Sequence, residues 1–287
     1  MSIVITGASG QLGRRVVEEA LERVAPNELI LVTRTPDALA EYAARGADVR
    51  AGDFDDPASL AAAFAGGERL LLISTDALGE RIPQHHAAID AAVDAGVRFV
   101  AYTSIVRPEP DNPAAVVPEH RATEEKLRTS GLEWAFLRHS IYSDLEAGNQ
   151  AAALTTGQLV TNGGAGAVAY VARDDCAAAA AAVLTGDDHA GTVYEITGPE
   201  RLDAEARAAI FSELGGTPVD VVHVDDDAYA AGLAEAAGLP LADAKLYASF
   251  GRATREGWLD ALSDDFQRLT GRAPRPLAAV LTASTPA

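Results

Sequence analysis

Three glycines at the first turn constrain this chain more than any other feature. Ile3 to Thr6 is a short β-branched run that reads as a strand. It leads at once into Gly7-Ala8-Ser9-Gly10-Gln11-Leu12-Gly13 and an amphipathic stretch, Leu12 to Val24. Gly7 permits the tight turn out of the strand. Gly10 lets backbone N–H groups approach a ligand with no Cβ in the way, and Gly13 lets the helix pack closely on the sheet. The helix N-terminus offers free N–H donors and the positive end of its dipole. Gly7, Ser9, Gly10, Gln11, Leu12 and Gly13 are therefore expected to cradle a pyrophosphate. The spacing is G-x-x-G-x-x-G rather than G-x-G-x-x-G, so the strand-turn-helix context carries the reading. A merely tight βα turn is the competing one.

The rest of the first half alternates strand and helix patterns. Strands are expected at Leu29 to Thr33, Asp48 to Ala51, Leu70 to Ile73, Phe99 to Thr103 and Trp134 to Leu137. Helices are expected at Pro36 to Ala44, Pro57 to Phe64, Arg81 to Ala95 and Glu119 to Ser130. Such alternation implies an α/β fold of the Rossmann type, a doubly wound parallel sheet with helices on both faces. Beyond Arg138 the rhythm loosens. Helices at Asp144 to Ala153 and Asp174 to Leu184 mix with strands at Val168 to Val171, Val193 to Thr197 and Val219 to Val224. The expected division is a dinucleotide-binding domain over 1–138 and a smaller, mostly helical lobe over 139–287, some of whose strands return to the main sheet. The tail from Ala283 is expected to fray.

Composition narrows the function. The formal charge of −19 repels phosphate backbones and anionic lipid heads, which argues against nucleic-acid and membrane partners. No apolar run approaches the ~20 residues of a membrane span, and the N-terminus reads as a strand rather than a signal peptide. Cys176, the single cysteine, permits no intrachain disulfide, fits a cytoplasmic location and reads as a packed small hydrophobe. His85-His86 lies on a helix without companion ligands, so no metal site is expected. A small-molecule substrate is the expected partner, with a homodimer left open.

The second strand bears on the choice of dinucleotide. Asp or Glu at its end would accept from a ribose 2′-OH, but here it ends Val32-Thr33-Arg34-Thr35-Pro36, with no carboxylate before Asp37. Arg34 suits a 2′-phosphate, because its planar fork donates bidentately to phosphate oxygens. The expected cofactor is NADP(H), with NAD(H) as the alternative. After the third strand, Asp53 is a candidate acceptor for an adenine amino group with Phe54 packed nearby, and capping of the helix near Pro57 competes for that acidic stretch. Ser74 and Thr75 end the fourth strand and Ser104 follows the fifth. Strand C-termini at the order reversal face the ligand in such sheets, so these three are candidates near the nicotinamide ribose, against capping or turn formation.

Several segments together resemble a known family. They are Thr6 to Gly13, Leu70 to Ser74, Ala101-Tyr102-Thr103-Ser104, Glu119-His120-Arg121-Ala122-Thr123-Glu124, Leu137-Arg138, Tyr142, Val160 to Gly166 and Leu269-Thr270-Gly271-Arg272. In order, they resemble the NmrA-like branch of the atypical short-chain dehydrogenases/reductases, nearest to the NADPH-dependent quinone oxidoreductases and the triphenylmethane-dye reductases. The resemblance implies a Rossmann domain plus a small C-terminal lobe, with substrate in the cleft between them. It implies NADPH-dependent hydride transfer to a quinone or similar flat conjugated electrophile. The alternative it admits is a non-catalytic NADP(H)-sensing regulatory protein of the NmrA type.

Typical short-chain dehydrogenases use a Tyr-x-x-x-Lys pair, and no tyrosine here has lysine four residues later. The matching helix carries His120-x-x-x-Glu124, one turn apart, where Glu124 would raise the His120 pKa and leave an imidazolium as proton donor. A solvated helix face is the competing reading. Loss of the tyrosine argues against alcohol/ketone interconversion but not against hydride transfer to a quinone, cationic dye, imine or enone, where positioning does most of the work. After the sixth strand, His139 stands where the quinone-reductase look-alikes carry Asn, and Tyr142 is a candidate to stack on a flat substrate or donate a proton, with simple packing as the competing reading. Ile105, His139, Tyr142 and Phe250 are the expected substrate contacts, with Tyr247 and Trp258 either walling the pocket or packing the core.

NADPH is expected to bind more tightly than NADH, and Arg34→Ala to cost about 1.5–3 kcal/mol for NADPH alone. Titration of both cofactors against both proteins tests this, and equal affinities in the wild type would overturn it.

Overall fold

The strands Ile3–Ile5, Leu29–Thr33, Arg69–Leu72 and Phe99–Ile105 are buried throughout, as the middle of a sheet sandwiched between helices requires, whereas Asp48–Ala51 is an exposed edge. In the computed structural model, which describes residues 1–284, seven parallel strands form one sheet. They are β1 Ile3–Ile5, β2 Leu29–Thr33, β3 Asp48–Ala51, β4 Arg69–Leu72, β5 Phe99–Ile105, β6 Glu133–His139 and, after an intervening β7 Gln158–Thr161, β8 Thr192–Ile196. Their order is β3-β2-β1-β4-β5-β6-β8. The chain builds outward from β1 to one side, returns, and builds outward from β4 to the other. The order therefore reverses between β1 and β4, and the loops leaving those two strands part to leave a crevice.

Period-2 alternation divides the core between the two faces. Ile3 and Ile5 of β1 join the cluster under α1 (Gln11–Leu21) and α7 (Arg173–Thr185). Val4 joins the opposite cluster with α3 (Pro57–Phe64), α4 (Arg81–Asp94) and α5 (Val117–Thr129), including Phe64, Ile89, Leu127 and Phe136. Residues Asp175–Leu184 of α7 are all buried. Their alanines keep the helix thin enough to lie between α1 and the sheet, and Cys176 is one more small buried side chain there. Asp175, wholly buried, pairs with Arg272 at 2.6 Å and accepts from the Arg275 backbone at 2.7 Å. That ties α7 to the segment after α11 (Asp265–Thr270).

A third cluster forms the lobe. It joins Ile105 and Val106 to α6 (Glu146–Thr156), α8 (Ala204–Gly215), α10 (Leu241–Arg255) and α12 (Leu277–Ser284). A helix, α2 (Ala40–Ala44), follows β2, and α9 (Asp226–Ala237) precedes α10. Among the strands expected after Arg138, β8 joins the main sheet beside β6. The strand at Val219 to Val224 does not: β9 (Asp220–His223) pairs only with β7, in a separate two-stranded sheet. Val168 to Val171 is no strand, making only isolated bridges to Leu202 and Tyr142. Gly166 and Gly198 explain the irregularity: the chain passes so close to Thr254 and Tyr170 backbone that an added Cβ would lie 2.0 and 1.8 Å from their carbonyl oxygens. Helix α12 runs to Ser284, through the start of the expected frayed tail, whose remaining residues 285–287 lie outside the described ones.

The first turn bears the tightest constraint in the main domain. Gly7 has φ +58°, and a Cβ at Gly13 would lie 2.1 Å from the Gly7 carbonyl oxygen and 2.8 Å from Ala8 Cα. Gly13→Ala must push α1 off the turn. It is expected to cost about 3 kcal/mol, the upper end for forced overpacking. Urea denaturation of the apoprotein measures it, and an unchanged midpoint would show that α1 backs away freely.

Candidate cofactor and acceptor site

At the reversal of strand order, the loop after β1 presents bare backbone. Gly10 N–H donates to the Gly7 carbonyl at 2.9 Å, and Ala8 N–H to the Val32 carbonyl at 3.1 Å. No side chain caps α1, and its first turn holds no acid. The N–H groups of Gln11, Leu12 and Gly13 thus have no intrahelical acceptor and face outward over glycine, the cradle a dinucleotide pyrophosphate needs. Ser9 and Thr33 share a 2.7 Å hydroxyl hydrogen bond that pins the loop to the end of β2. Arg34, next along, is exposed and makes no side-chain hydrogen bond or ion pair among the described residues. Arg14, by contrast, is bound to Glu41 and to the Ser9 and Ala38 carbonyls.

At the end of β3, Asp53 accepts from the Asp55 backbone at 3.1 Å, an Asx turn rather than a cap on α3. Phe54 is half-buried and meets the His85 ring edge-on at 6.4 Å. The end of β4 is tied down hard. Ser74 N–H donates to Thr103 Oγ1 at 2.8 Å, while Thr75 donates through its hydroxyl to Gln84 at 2.7 Å and through its N–H to His85 Nε2 at 3.1 Å. Accepting at Nε2 places the His85 proton on Nδ1, which meets Thr123 Oγ1 at 2.9 Å. Gln84 reaches on to Asp55 at 2.7 Å, linking the ends of β3 and β4.

Helix α5 corrects two expectations. His120 and Glu124 are not partners. Glu124, almost wholly buried, takes both arms of Arg138 at 2.9 and 2.8 Å, Arg128 at 3.0 Å and the Ser104 hydroxyl at 2.8 Å. Ser104 is therefore committed to α5 rather than free at the strand end. His120 Nδ1 instead meets the hydroxyl of Tyr102 at 2.8 Å. Burial first, then the charge of Arg81, holds the His120 pKa well below its ordinary value, so the ring is neutral, not an imidazolium. The solvated-face reading also fails, since His120 and Glu124 are both buried.

Past β6, His139 Nδ1 meets the Tyr142 hydroxyl at 3.0 Å, and the Arg173 guanidinium lies 4.8 Å from the centre of the Tyr142 ring. Burial holds the His139 pKa down to about 3 and pushes the Tyr142 phenol up, so the phenol is the donor. Ile105 is buried, with half-buried Ile141, Phe250 and Trp258 packed against the same cluster. Tyr247 is exposed, neither core nor wall. Asn162 of the Asn162-Gly163-Gly164 turn is a clasp: its side-chain amide donates to Asp226 at 2.7 Å and to the Ala248 carbonyl at 2.8 Å, joining the turn to α9 and α10.

Sequence reasoning missed Tyr102, Gln84, Arg81 and Glu119. Arg81, Gln84 and His85 sit at i, i+3 and i+4 at the start of α4, one polar face aimed at the strand ends, and that spacing was the available signal.

The buried histidines make stability depend on pH. His85 and His139 have folded values of about 3, with burial as the leading cause. An unfolded histidine titrates near ~6.5. Below that, the unfolded chain takes up protons that the folded chain refuses, so stability is complete above it and is lost as pH falls towards the folded values. Each ring contributes a slope of at most about 1.4 kcal/mol per pH unit. Unfolding free energies of wild type and His139→Asn between pH 7 and 5 check this: the variant should lose stability less steeply, and equal slopes would contradict a neutral buried His139.

A family model described as NAD(P)H-binding matches residues 7–187. Quinone oxidoreductase 2 of Escherichia coli strain K12 is 36% identical over 276 residues, 96% of this chain and 96% of that protein. The crystal structure of the NADPH-dependent quinone oxidoreductase of E. coli complexed with NADPH aligns with a TM-score of 0.94 at 35% identity, covering 98% of this chain and 99% of that one. That of Citrobacter sp. triphenylmethane reductase complexed with NADP(H) aligns with a TM-score of 0.93 at 34% identity, covering 99% of this chain and all of the other. The likeness runs the length of the chain, from the glycine loop through the lobe, and the chain belongs to the NAD(P)H-binding family as an NmrA-like oxidoreductase.

Proposed function

We propose that this protein is an NADPH-dependent reductase that passes hydride to a quinone or a similar flat conjugated acceptor, such as a dye, imine or enone. The carrying observation is the uncapped, glycine-lined N-terminus of α1 at the reversal of strand order, with Arg34 unpartnered beside it. Gln11, Leu12 and Gly13 N–H would hold the pyrophosphate and Arg34 the 2′-phosphate. Asp53 and Phe54 would flank the adenine, and Ser74 and Thr75 the nicotinamide ribose. NADPH supplies the hydride when bound. Its relatives' names and bound cofactors support the same reading.

The chain's own contribution is positional. Ile105, His139, Tyr142 and Phe250 form the acceptor end, where 1–138, as the dinucleotide-binding half, meets 139–287, as the acceptor lobe. His120 and Tyr142 act as neutral hydrogen-bonding groups rather than as strong acids, since burial holds both uncharged. An acceptor that takes hydride without simultaneous protonation suits such a site, and water protonates the product. The sole cysteine is buried, and no helix of the described residues is long and apolar enough to cross a membrane. We place the protein in the cytoplasm with a small-molecule substrate, and a homodimer remains compatible with this reading.

NADPH oxidation across a panel of neutral quinones, cationic triphenylmethane dyes, imines and enones between pH 6 and 8 tests the function. Turnover with at least one flat acceptor is expected, with little change in rate through the ordinary histidine range near ~6.5, because no neutral buried ring titrates there. NADPH binding with no acceptor reduced would favour the NADP(H)-sensing reading instead. A rate that falls as pH rises through that range would restore an imidazolium donor.

A further inference from the structure

Arg107 holds a backbone conformation that its residue type avoids. Its φ is +44°, in the left-handed region where a Cβ is crowded. Among the described residues the only other non-glycine with positive φ is Asp188, exposed and of a residue type that tolerates it. A glycine would take this conformation freely, whereas an arginine keeps it only where surrounding contacts over-determine it. Those contacts lie on both sides of the residue. Val106 N–H donates to the His139 carbonyl at 3.1 Å, tying the ends of β5 and β6 together. The Arg107 carbonyl accepts from the buried Asn112 side chain at 2.9 Å, and Asn112 Oδ1 accepts in turn from Ala114 N–H at 3.0 Å.

The side chain reaches across to the lobe. Its Nη1 donates to the Gly257 carbonyl at 2.6 Å and to Asp260 at 2.7 Å. That segment, by which the chain leaves α10, is itself anchored within the lobe: Arg201 Nε donates to the Asp260 carbonyl at 2.5 Å and Ala169 N–H to the Leu259 carbonyl at 3.1 Å. The other end of the loop after β5 is pinned to α10 as well, through Ala115 N–H and Ser249 Oγ at 2.9 Å. Both pins fall beside the acceptor-end residues. Ile105 stands two residues before Arg107, Phe250 follows Ser249, and Trp258 follows Gly257, and all three pack in one cluster. The loop leaving β5 therefore sets how far the lobe stands from the strand end.

Building on the reductase reading, we propose that Arg107 is a positioning residue that fixes the width of the acceptor slot between Ile105 and the Phe250–Trp258 side, and so selects acceptors as thin as a planar quinone. Hydride transfer needs the reacting atoms about 3–3.5 Å apart and aligned. A thin acceptor keeps that separation between two fixed walls and loses it between walls free to part. An acceptor thickened by out-of-plane groups is excluded by the fixed walls and admitted by loose ones. Arg107 acts through these walls and does not itself touch the acceptor. An arginine in a glycine's conformation fits this role, since only its side chain spans from the strand end to the lobe.

Arg107→Gly keeps the backbone path without strain and deletes the hold. The test compares wild type, Arg107→Gly and Arg107→Lys for kcat and KM with planar naphthoquinone and with di-tert-butyl benzoquinone, whose substituents project from both faces, alongside the Kd for NADPH. Both acceptors are neutral, so shape alone separates them. Arg107→Gly should lose about 10- to 100-fold in kcat on naphthoquinone, the range for a small misplacement of reacting atoms, and lose at most about threefold, or gain, on the thicker quinone. Arg107→Lys, which keeps a donor on a flexible stem, should recover part of the preference. NADPH affinity, set at the separate loop after β1, should stay within about threefold. A second readout needs no turnover. With Trp134→Phe in the background, Trp258 is the sole indole, and its quenching by acrylamide in the NADP⁺ complex should rise in Arg107→Gly. Should Arg107→Gly fail to fold, Asp260→Ala removes one acceptor from the lobe side and should shift the preference in the same direction. Equal losses on both quinones, a loss confined to NADPH affinity, or an unchanged preference would overturn the role of Arg107 while leaving the reductase intact. Wild-type protein that binds NADPH and reduces neither quinone overturns the reductase reading, and this inference with it.

Discussion

The contact between α1 and the turn that precedes it sets the geometry of everything downstream. At Gly13 the helix lies so close to the Gly7 carbonyl that no side chain fits between them. That approach places the helix N-terminus over the reversal between β1 and β4, where Thr6 straps the two strands by accepting from Ile73 N–H and donating to the Leu71 carbonyl, each at 3.0 Å. The same approach leaves a slot beside α1 that only a thin helix can fill, and α7 fills it with alanine and Cys176. Asp175 at the start of α7 then anchors Arg272 and the Arg275 backbone. One missing methyl group thus propagates from the first turn to the C-terminal segment through successive close packings.

Charge is handled differently inside and outside. The surface carries the acid excess, whereas the histidines near the strand ends are kept neutral by burial. The buried ions that do occur, Glu124 with Arg138 and Arg128, are matched by bidentate geometry and a hydroxyl donor. Such clusters contribute little net stability against an apolar replacement, but removing one member leaves an uncompensated buried charge. Here the cluster joins β5, β6 and α5 into one unit behind the acceptor end. Rings held neutral by burial favour an acceptor that takes hydride without simultaneous protonation over chemistry that shuttles protons between side chains.

What was readable beforehand followed from locality. The first turn and the alternation up to β6 were legible because a glycine loop, a buried apolar run and a helix period each act over a few residues. By contrast, His120 and Glu124 share a face of α5 by spacing, yet spacing says nothing of what that face meets. Glu124 meets Arg138, brought alongside by β6, and His120 meets Tyr102 on β5. Ser104 was assigned to the crevice because it ends a strand, but its hydroxyl points to α5. The alternation of Gln158-Leu159-Val160-Thr161 was a usable strand signal, whereas its partner β9 was not derivable, since any exposed edge could have received it.

The sequence by itself determined the doubly wound sheet, the dinucleotide loop and the absence of a tyrosine–lysine pair. Each rests on backbone freedom, side-chain period or residue identity, which the chain carries locally. Only the tertiary structure decided which polar groups are free. Desolvation silenced the histidines, Arg138 claimed Glu124, Asn162 became a clasp for α9 and α10, and Arg81 came to face Glu119 at 3.8 Å. These outcomes depend on burial and on partners distant in the chain, and the free energy of a charge or a hydrogen bond is set by its surroundings rather than by its residue type.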